Sequence, residues 1–547
     1  MDKVKASVRL VMASVTSVLL FSSCQQDGAR RELGLSRYDP PVELSFVRET
    51  SDDMDSLLNQ LPGESLTDNR WSRLYERVLG IRIKYDWTEK GSLFYQKLGV
   101  ALASGDIPDV VRVDAQQLRQ LYNAGRIQPL TDVYEQYATP LTKKTLSEEG
   151  GGPFEAATLD GKLMGIPDPS SSIEGAKFLW IRTDWLRELG LQPPRTMDDV
   201  LAISKAFTDS DPDRDGKNDT YGLALTSYLF DPVAGVSGFM AGYGAYPNLW
   251  VKDASGKLAF GGIQPEARVA LKALQQLYRT GQLDPEFGIK DGLKVREDVA
   301  AGRLGIVYGE QWSSFWLQGS RERNPDAQWQ DYPIVSATGE LPRVPLPFNT
   351  GHFFAVRKDY EHPEAIVKLF NLHLEKNWGA TAEYDKYYST PLAVWTLSPV
   401  TPYPAKKTLE AYRQLEEMRR TGDSSRLKDE AKAIRRNIET YEAGGAGAET
   451  GWGWERIYGQ DGAFAILDRY ESNGQLLYES FVGGPTLTMI EKKTILDNLL
   501  NDTYMNIILG RPIDEFDRFA DEWRRLGGDR ITAEVNQWYA ARGSTTR

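Results

Sequence analysis

Residues 211–222 read Asp-Pro-Asp-Arg-Asp-Gly-Lys-Asn-Asp-Thr-Tyr-Gly, which sets carboxylates at 211, 213, 215 and 219 around Gly216. Hard divalent cations take six to eight oxygens, and a loop with Asp at positions 1, 3 and 5, Gly at 6, a backbone carbonyl at 7 and Asp at 9 supplies five of them. Asp211, Asp213, Asp215, the Lys217 carbonyl and Asp219 fill those places, so the chemistry expected here is calcium binding. Position 12, where such loops place a bidentate Glu, is Gly222, and the remaining oxygens must come from Thr220, another segment or water. That loss points to a structural ion and away from a sensor switch. The plain alternative is a solvated acidic turn, because Asp and Gly favour turns on their own account.

Other reactive constellations are missing. The histidines are His352, His362 and His373, and none forms an HExxH pair or another zinc-ligand spacing. With a single cysteine and no GxSxG or GxxxxGK[ST] stretch, the chain lacks the sequence marks of a thiol nucleophile, a serine-hydrolase elbow and a nucleotide phosphate loop. His352, beside Phe353, reads as a packing or hydrogen-bonding group. A carboxylate pair for glycoside cleavage is a matter of three-dimensional separation, so a hydrolase reading stays open at this stage.

The elements that must position these groups begin after an export signal. Lys3, Lys5 and Arg9 precede an apolar run from Leu10 to Phe21, too short for a membrane-spanning helix, and Ser22-Ser23-Cys24 follows. A lone cysteine after an apolar run and two small residues resembles the lipobox of bacterial lipoproteins, which implies acylation of Cys24 and an extracellular, lipid-anchored chain. The formal charge of −12 becomes −14 once residues 1–24, carrying Lys3, Lys5, Arg9 and Asp2, are removed. Nucleic acid is a poor partner for such a surface. Residues 25–41 mix Gly, Arg, Ser and Pro without periodicity and read as a tether, leaving the anchor as the membrane contact.

At 547 residues and 41% apolar content the chain is too long for one ordinary core. Strand patterns at 41–46, 81–86, 107–111 and 302–309 alternate with helical patterns at 71–79, 93–104, 184–189 and 265–278, which predicts an α/β fold. Thr196-Met197-Asp198-Asp199 opens a helix with Val200, Ile203 and Phe207 on one face, and that helix runs into the acidic loop, where the carbonyls at its end favour a cation. Glu310-Gln311-Trp312 lies at the end of the 302–309 strand, where open α/β sheets place ligands. Residues 404–443, rich in Lys, Arg and Glu, read as a solvated helical surface without an assigned function.

These packages follow a familiar order. Leu102-Ala103-Ser104-Gly105-Asp106-Ile107-Pro108-Asp109, Trp180-Ile181-Arg182-Thr183-Asp184-Trp185-Leu186, the acidic loop with Thr220-Tyr221-Gly222, and Phe260 to Pro265 come first. Phe353-Phe354-Ala355-Val356, His362-Pro363-Glu364-Ala365 and Phe481-Val482-Gly483-Gly484-Pro485-Thr486 follow. Together they resemble the extracellular solute-binding lipoproteins of bacterial carbohydrate ABC importers. The resemblance implies a two-lobed periplasmic-binding-protein-like fold of type II, with hinge strands joining lobe 1 (42–170 and 350–484) to lobe 2 (171–349 and 485–547).

It further implies a monomer without enzymatic activity that closes on an oligosaccharide and delivers it to ABC permease subunits. Tyr308-Gly309-Glu310-Gln311-Trp312 looks like the turn whose tryptophan stacks on sugar in the maltodextrin-binding branch, with Glu310 and Gln311 as hydroxyl partners. Trp452 and Trp454, in what reads as a glycine loop, form a second candidate platform, and Trp180, Asp168 and Asp114 a third. With 14 Trp and 26 Tyr in the chain, most rings must simply pack, Trp523 and Trp538 among them. A secreted calcium-dependent polysaccharide hydrolase or lyase, and a tethered carbohydrate sensor, are the alternatives.

Overall fold

The computed structural model describes residues 33–348, 350–389, 392–445 and 447–545. They form two α/β units, one from the described residues of 1–170 and 350–405, the other from those of 171–349 and 406–547. The signal segment, Cys24 and residues 25–32 of the expected tether lie outside the described residues. Residues 33–41, also read as tether, are strapped to the first unit instead: Asn371 Nδ2 donates to the Gly34 carbonyl (2.9 Å), Lys368 Nζ to the Ser36 carbonyl (3.0 Å), and Tyr38 Oη to Glu364 Oε1 (2.6 Å).

The strands that frame the site are β1 (Val42–Thr50), β2 (Ile81–Lys90), β3 (Val110–Val113), β4 (Ile166–Asp168), β5 (Phe178–Arg182), β6 (Tyr221–Leu223), β7 (Leu304–Gly309), β8 (Trp329–Tyr332) and β9 (His352–Val356). In the first unit β1 and β2 run parallel, and β9 lies antiparallel between β3 and β4. The two ladders are tied where Ser45 N donates to Asp109 Oδ2 (3.0 Å) and Asp109 N to Ser45 Oγ (2.9 Å). The helix Arg70–Leu79 fills the turn between β1 and β2, started by an Asn69 capping box and stopped by Gly80 in the left-handed region.

The second unit is built on the sheet β8-β5-β7-β6, in which β7 pairs antiparallel with β5 and parallel with β6. Both central strands are buried along their whole length, as a sheet covered on two faces requires. Residues 406–484, expected in lobe 1, belong to this unit. The helix Lys407–Thr421 buries Leu409, Ala411, Tyr412 and Leu415 in its core, and Leu476–Tyr478 pairs in parallel with Val344–Leu346. The charged 404–443 segment is therefore amphipathic: two helices, Lys407–Thr421 and Asp429–Ala443, with one face in the core.

Candidate functional site

In the first unit a cavity of about 370 Å³ opens at the carboxyl ends of β1 and β3, the customary ligand position of α/β sheets. A register shift between Phe46 and Val47 re-aims the rest of β1, and Arg48 and Glu49 reach the cavity wall. Arg48 is held by Tyr85 Oη (2.8 Å), the Ser398 carbonyl (2.9 Å) and the Thr396 carbonyl. Tyr95, 56% exposed, donates its hydroxyl to Glu49 Oε2 (2.7 Å), and that bond raises the phenol's pKa. Its ring stands edge-on to Phe94 at 5.4 Å.

The floor is set by β3 and β9. Arg112 Nε donates to Asp168 Oδ2 (2.8 Å) across from His352, whose pKa is depressed by burial and then by the Arg112 charge. Asp114 caps the helix Ala115–Asn123 by accepting the Gln117 amide (2.8 Å) and at the same time lines the cavity. Trp395, half-buried, completes the wall. Rings and carboxylates interleaved in this way suit a ligand with apolar faces and a rim of hydroxyls. Of the residues predicted from sequence, Asp114 lines the cavity and Asp168 orients Arg112. Arg48, Glu49, Tyr85, Tyr95 and Trp395 were missed.

In the second unit the turn after β7 carries Glu310, Gln311 and Trp312, all half-buried. Glu310 is shared: Oε2 accepts from Trp312 Nε1 (2.8 Å) and Oε1 from Lys177 Nζ (2.7 Å). The carboxylate thus fixes the indole rather than waiting for a ligand. Gly309 permits the turn, because a Cβ there would lie 2.2 Å from Ser313 Oγ.

Three of the predicted tryptophans do other work. Trp180 is fully buried in β5. The Trp452–Trp454 stretch is not a loop but the start of the helix Trp452–Tyr458, with Trp452 only 1% exposed beneath the Arg321 guanidinium at 5.3 Å. Its glycines serve close packing, since a Cβ on Gly451 would meet the Asn437 carbonyl at 2.1 Å and one on Gly453 the Phe315 ring at 2.5 Å. Trp454 is half-buried against Phe315 (5.3 Å) and Tyr458 (6.0 Å).

The acidic loop follows the helix Met197–Asp209 and leads into β6. One carboxylate oxygen from each of Asp211, Asp213 and Asp215 falls within 4.8 Å of the others. Asp211 Oδ1, Asp213 Oδ1 and Asp219 Oδ1 are buried and have no hydrogen-bond partner. Burial and then Asp211 and Asp215 push Asp213 up to about 6. Carboxylate oxygens withdrawn from water without donors are strongly unfavourable, and a hard cation is the group this set would hold. Asp215 turns its other contacts to Lys217, whose amide and amino group both reach it. Thr220 is no ligand: its buried hydroxyl donates to the Phe207 carbonyl (2.8 Å), closing the helix end. Beside it Gly222 passes so close to the helix that a Cβ would sit 2.1 Å from Ser204 Oγ.

Residues 65–385, more than half of the chain, match the family of bacterial extracellular solute-binding proteins. The chain belongs to that family. This solute-binding protein is 30% identical over 294 residues to the polygalacturonan/rhamnogalacturonan-binding protein YtcQ of Bacillus subtilis, covering 53% of this chain and 54% of that one. It is 26% identical over 311 residues to lipoprotein LipO of the same organism, covering 56% and 59%. The chain thus spans little more than half the length of these curated relatives. Among solved structures, Streptococcus pneumoniae FusA in complex with kestose matches with a TM-score of 0.60 at 17% identity, over 92% of this chain and 100% of that chain. An EF-hand mutant of FusA in complex with fructo-nystose gives 0.59 at 16%, over 92% and 100%. These structural likenesses establish the fold, which is the α/β fold with two units that the sequence pattern predicts. Among the described residues no helix is long and apolar enough to cross a membrane.

Proposed function

We propose that this solute-binding protein captures an oligosaccharide outside the cell and hands it to an ABC permease, held to the membrane by acyl chains on Cys24. The observation that carries the carbohydrate reading is the first unit's cavity, where Tyr85, Tyr95 and Trp395 alternate with Glu49, Arg112 and Asp114. Aromatic faces cover the C–H surface of a sugar ring and carboxylates accept its hydroxyls, a pairing that a purely apolar or purely cationic ligand would not use. Trp312, oriented by Glu310, is the corresponding ring of the second unit. The names of YtcQ, a polygalacturonan/rhamnogalacturonan-binding protein, and of FusA, a fructooligosaccharide ABC transporter substrate-binding protein, agree with this reading. So does LipO, named a lipoprotein, for the anchor.

Calcium belongs to the same proposal. Asp211, Asp213, Asp215 and Asp219 would hold it, with the Lys217 carbonyl as a further donor, and its charge would offset the repulsion among the buried carboxylates.

Titration against a glycan panel, followed by product analysis of the same samples, tests the function. Saturable binding with the glycan recovered intact is the expected result, and turnover would establish the hydrolase or lyase reading instead. Tyr95→Ala and Trp312→Ala should each weaken binding roughly tenfold, about 1.4 kcal/mol, with the melting curve unchanged. Binding equal to the parent in both variants would remove these rings from the site. Cys24→Ser should release the protein into the medium, and retention on the cell would count against the anchor.

A further inference from the structure

We infer that the cavity of the first unit selects neutral oligosaccharides and rejects uronate-containing ones; this rests on the carbohydrate reading above and adds the charge class of the ligand. Recognition of a uronate needs a cation with donors to spare, most effectively an arginine fork that meets the carboxylate with two parallel hydrogen bonds. The cavity wall has two guanidinium groups, and both are committed. Arg48 spends its terminal nitrogens on Tyr85 Oη, the Ser398 carbonyl and the Thr396 carbonyl, all within the fold. Arg112 is ion-paired through Nε with Asp168, whose side chain is only 9% exposed and so holds its charge close.

Around these two cations stand three carboxylates, Glu49, Asp114 and Asp168, all within electrostatic reach of His352. His352 itself stays uncharged at neutral pH, because burial and Arg112 hold its pKa below the usual value. Met54 reaches the wall from the helix Asp52–Asn59, whose first turn carries Asp52, Asp53 and Asp55. Lys90 and Lys97, further along β2 and the next helix, are paired with Asp52, Asp55 and Glu89. A second carboxylate brought into this wall meets like charge at short range, and the chain's formal charge of −12 opposes a polyanion from further out. Sugar hydroxyls face the opposite situation: Glu49 and Asp114 offer acceptor oxygens, and Tyr95 and Trp395 offer rings.

The test is calorimetric titration of the full mature chain, at low and at high salt, with two length-matched panels. One holds neutral oligosaccharides (fructo-, malto-, xylo- and galacto-oligosaccharides), the other oligogalacturonates and alginate oligomers. The expected result is saturable binding of at least one neutral series with little salt dependence, and every uronate weaker by about 100-fold or more. A uronate binding as tightly as the best neutral glycan, with affinity that falls as salt rises, overturns the inference and leaves the carbohydrate reading standing. Binding of neither panel overturns both.

Asp168→Asn supplies the internal check. Freed of its partner, Arg112 should raise the ratio of uronate to neutral affinity by about tenfold. Glu49→Gln, which removes one carboxylate without touching the ion pair, should raise it less. A ratio unchanged in both variants, with melting curves showing that each is folded, overturns the charge argument.

Discussion

Two regions of this molecule bury polar atoms that have no partners, and they do so with opposite chemistry. In the acidic loop of the second unit the orphaned atoms are carboxylate oxygens of Asp211, Asp213 and Asp219. In the first unit they are neutral: Trp71 Nε1, both ring nitrogens of His373 and both amide atoms of Asn377, with the imidazole stacked on Trp71 at 4.5 Å. Charged atoms in such a position call for a counter-ion, whereas neutral ones are tolerated as long as they stay neutral. The first region is therefore sensitive to metal, and the second to protons.

The largest effect should come from His373. Burial holds its pKa down at about 3, so the fold favours the neutral ring; the stabilisation is complete above the unfolded value near 6.5 and is lost as pH falls from there towards 3. Denaturant melts at neutral and acid pH should show a loss on the order of 4 kcal/mol, absent in His373→Phe. An acid limb of equal steepness in the variant would place the cause elsewhere.

Metal removal is next. At free calcium near a hundred times its dissociation constant, binding stabilises the native chain by about 2.7 kcal/mol, so chelation should lower the melting temperature and calcium restore it. Asp213→Asn and Asp219→Asn should melt alike with and without chelator. A parent protein indifferent to chelation breaks the contrast between the two regions.

A third buried group sharpens it. Glu479 accepts the amides of Trp250 (2.9 Å) and Phe481 (3.0 Å), and burial nevertheless raises its pKa to about 7. Here a raised acid pKa means that stabilisation is complete below the unfolded value near 4.5 and is lost as pH rises through about 7. Glu479→Gln should flatten the alkaline side of the stability profile by an amount on the order of 2 kcal/mol. Parent and variant profiles that coincide would show that the carboxylate is solvated after all.

How far the sequence reached follows the range of the interactions involved. The acidic loop was legible because its donors lie within nine residues, and β7 with its terminal Trp312 because a continuous apolar run ending in glycine announces a buried strand. The cavity was not, since Arg48, Tyr85, Tyr95, Arg112 and Trp395 come from five separate segments and meet only through the register of β1 with β2 and of β3 with β9. Trp452 misled because glycine signals a loop and close helix packing alike; what decides between them is the Asn437 carbonyl and the Phe315 ring, which are distant in the chain. The assignment of 406–484 to the wrong unit has the same origin. Its strand Leu476–Tyr478 finds Val344–Leu346 across more than a hundred residues.

The Gly222 contact joins the loop to the recognition turn as a short splint. Tyr221 and Leu223 of β6 are in register with Leu304 and Ile306 of β7, and β7 ends at Gly309, next to the carboxylate that steers Trp312. A calcium ion settling among the aspartates would brace one end of a two-strand lever whose other end aims the indole, so that an ion with no contact to sugar would still govern how firmly the ring is presented.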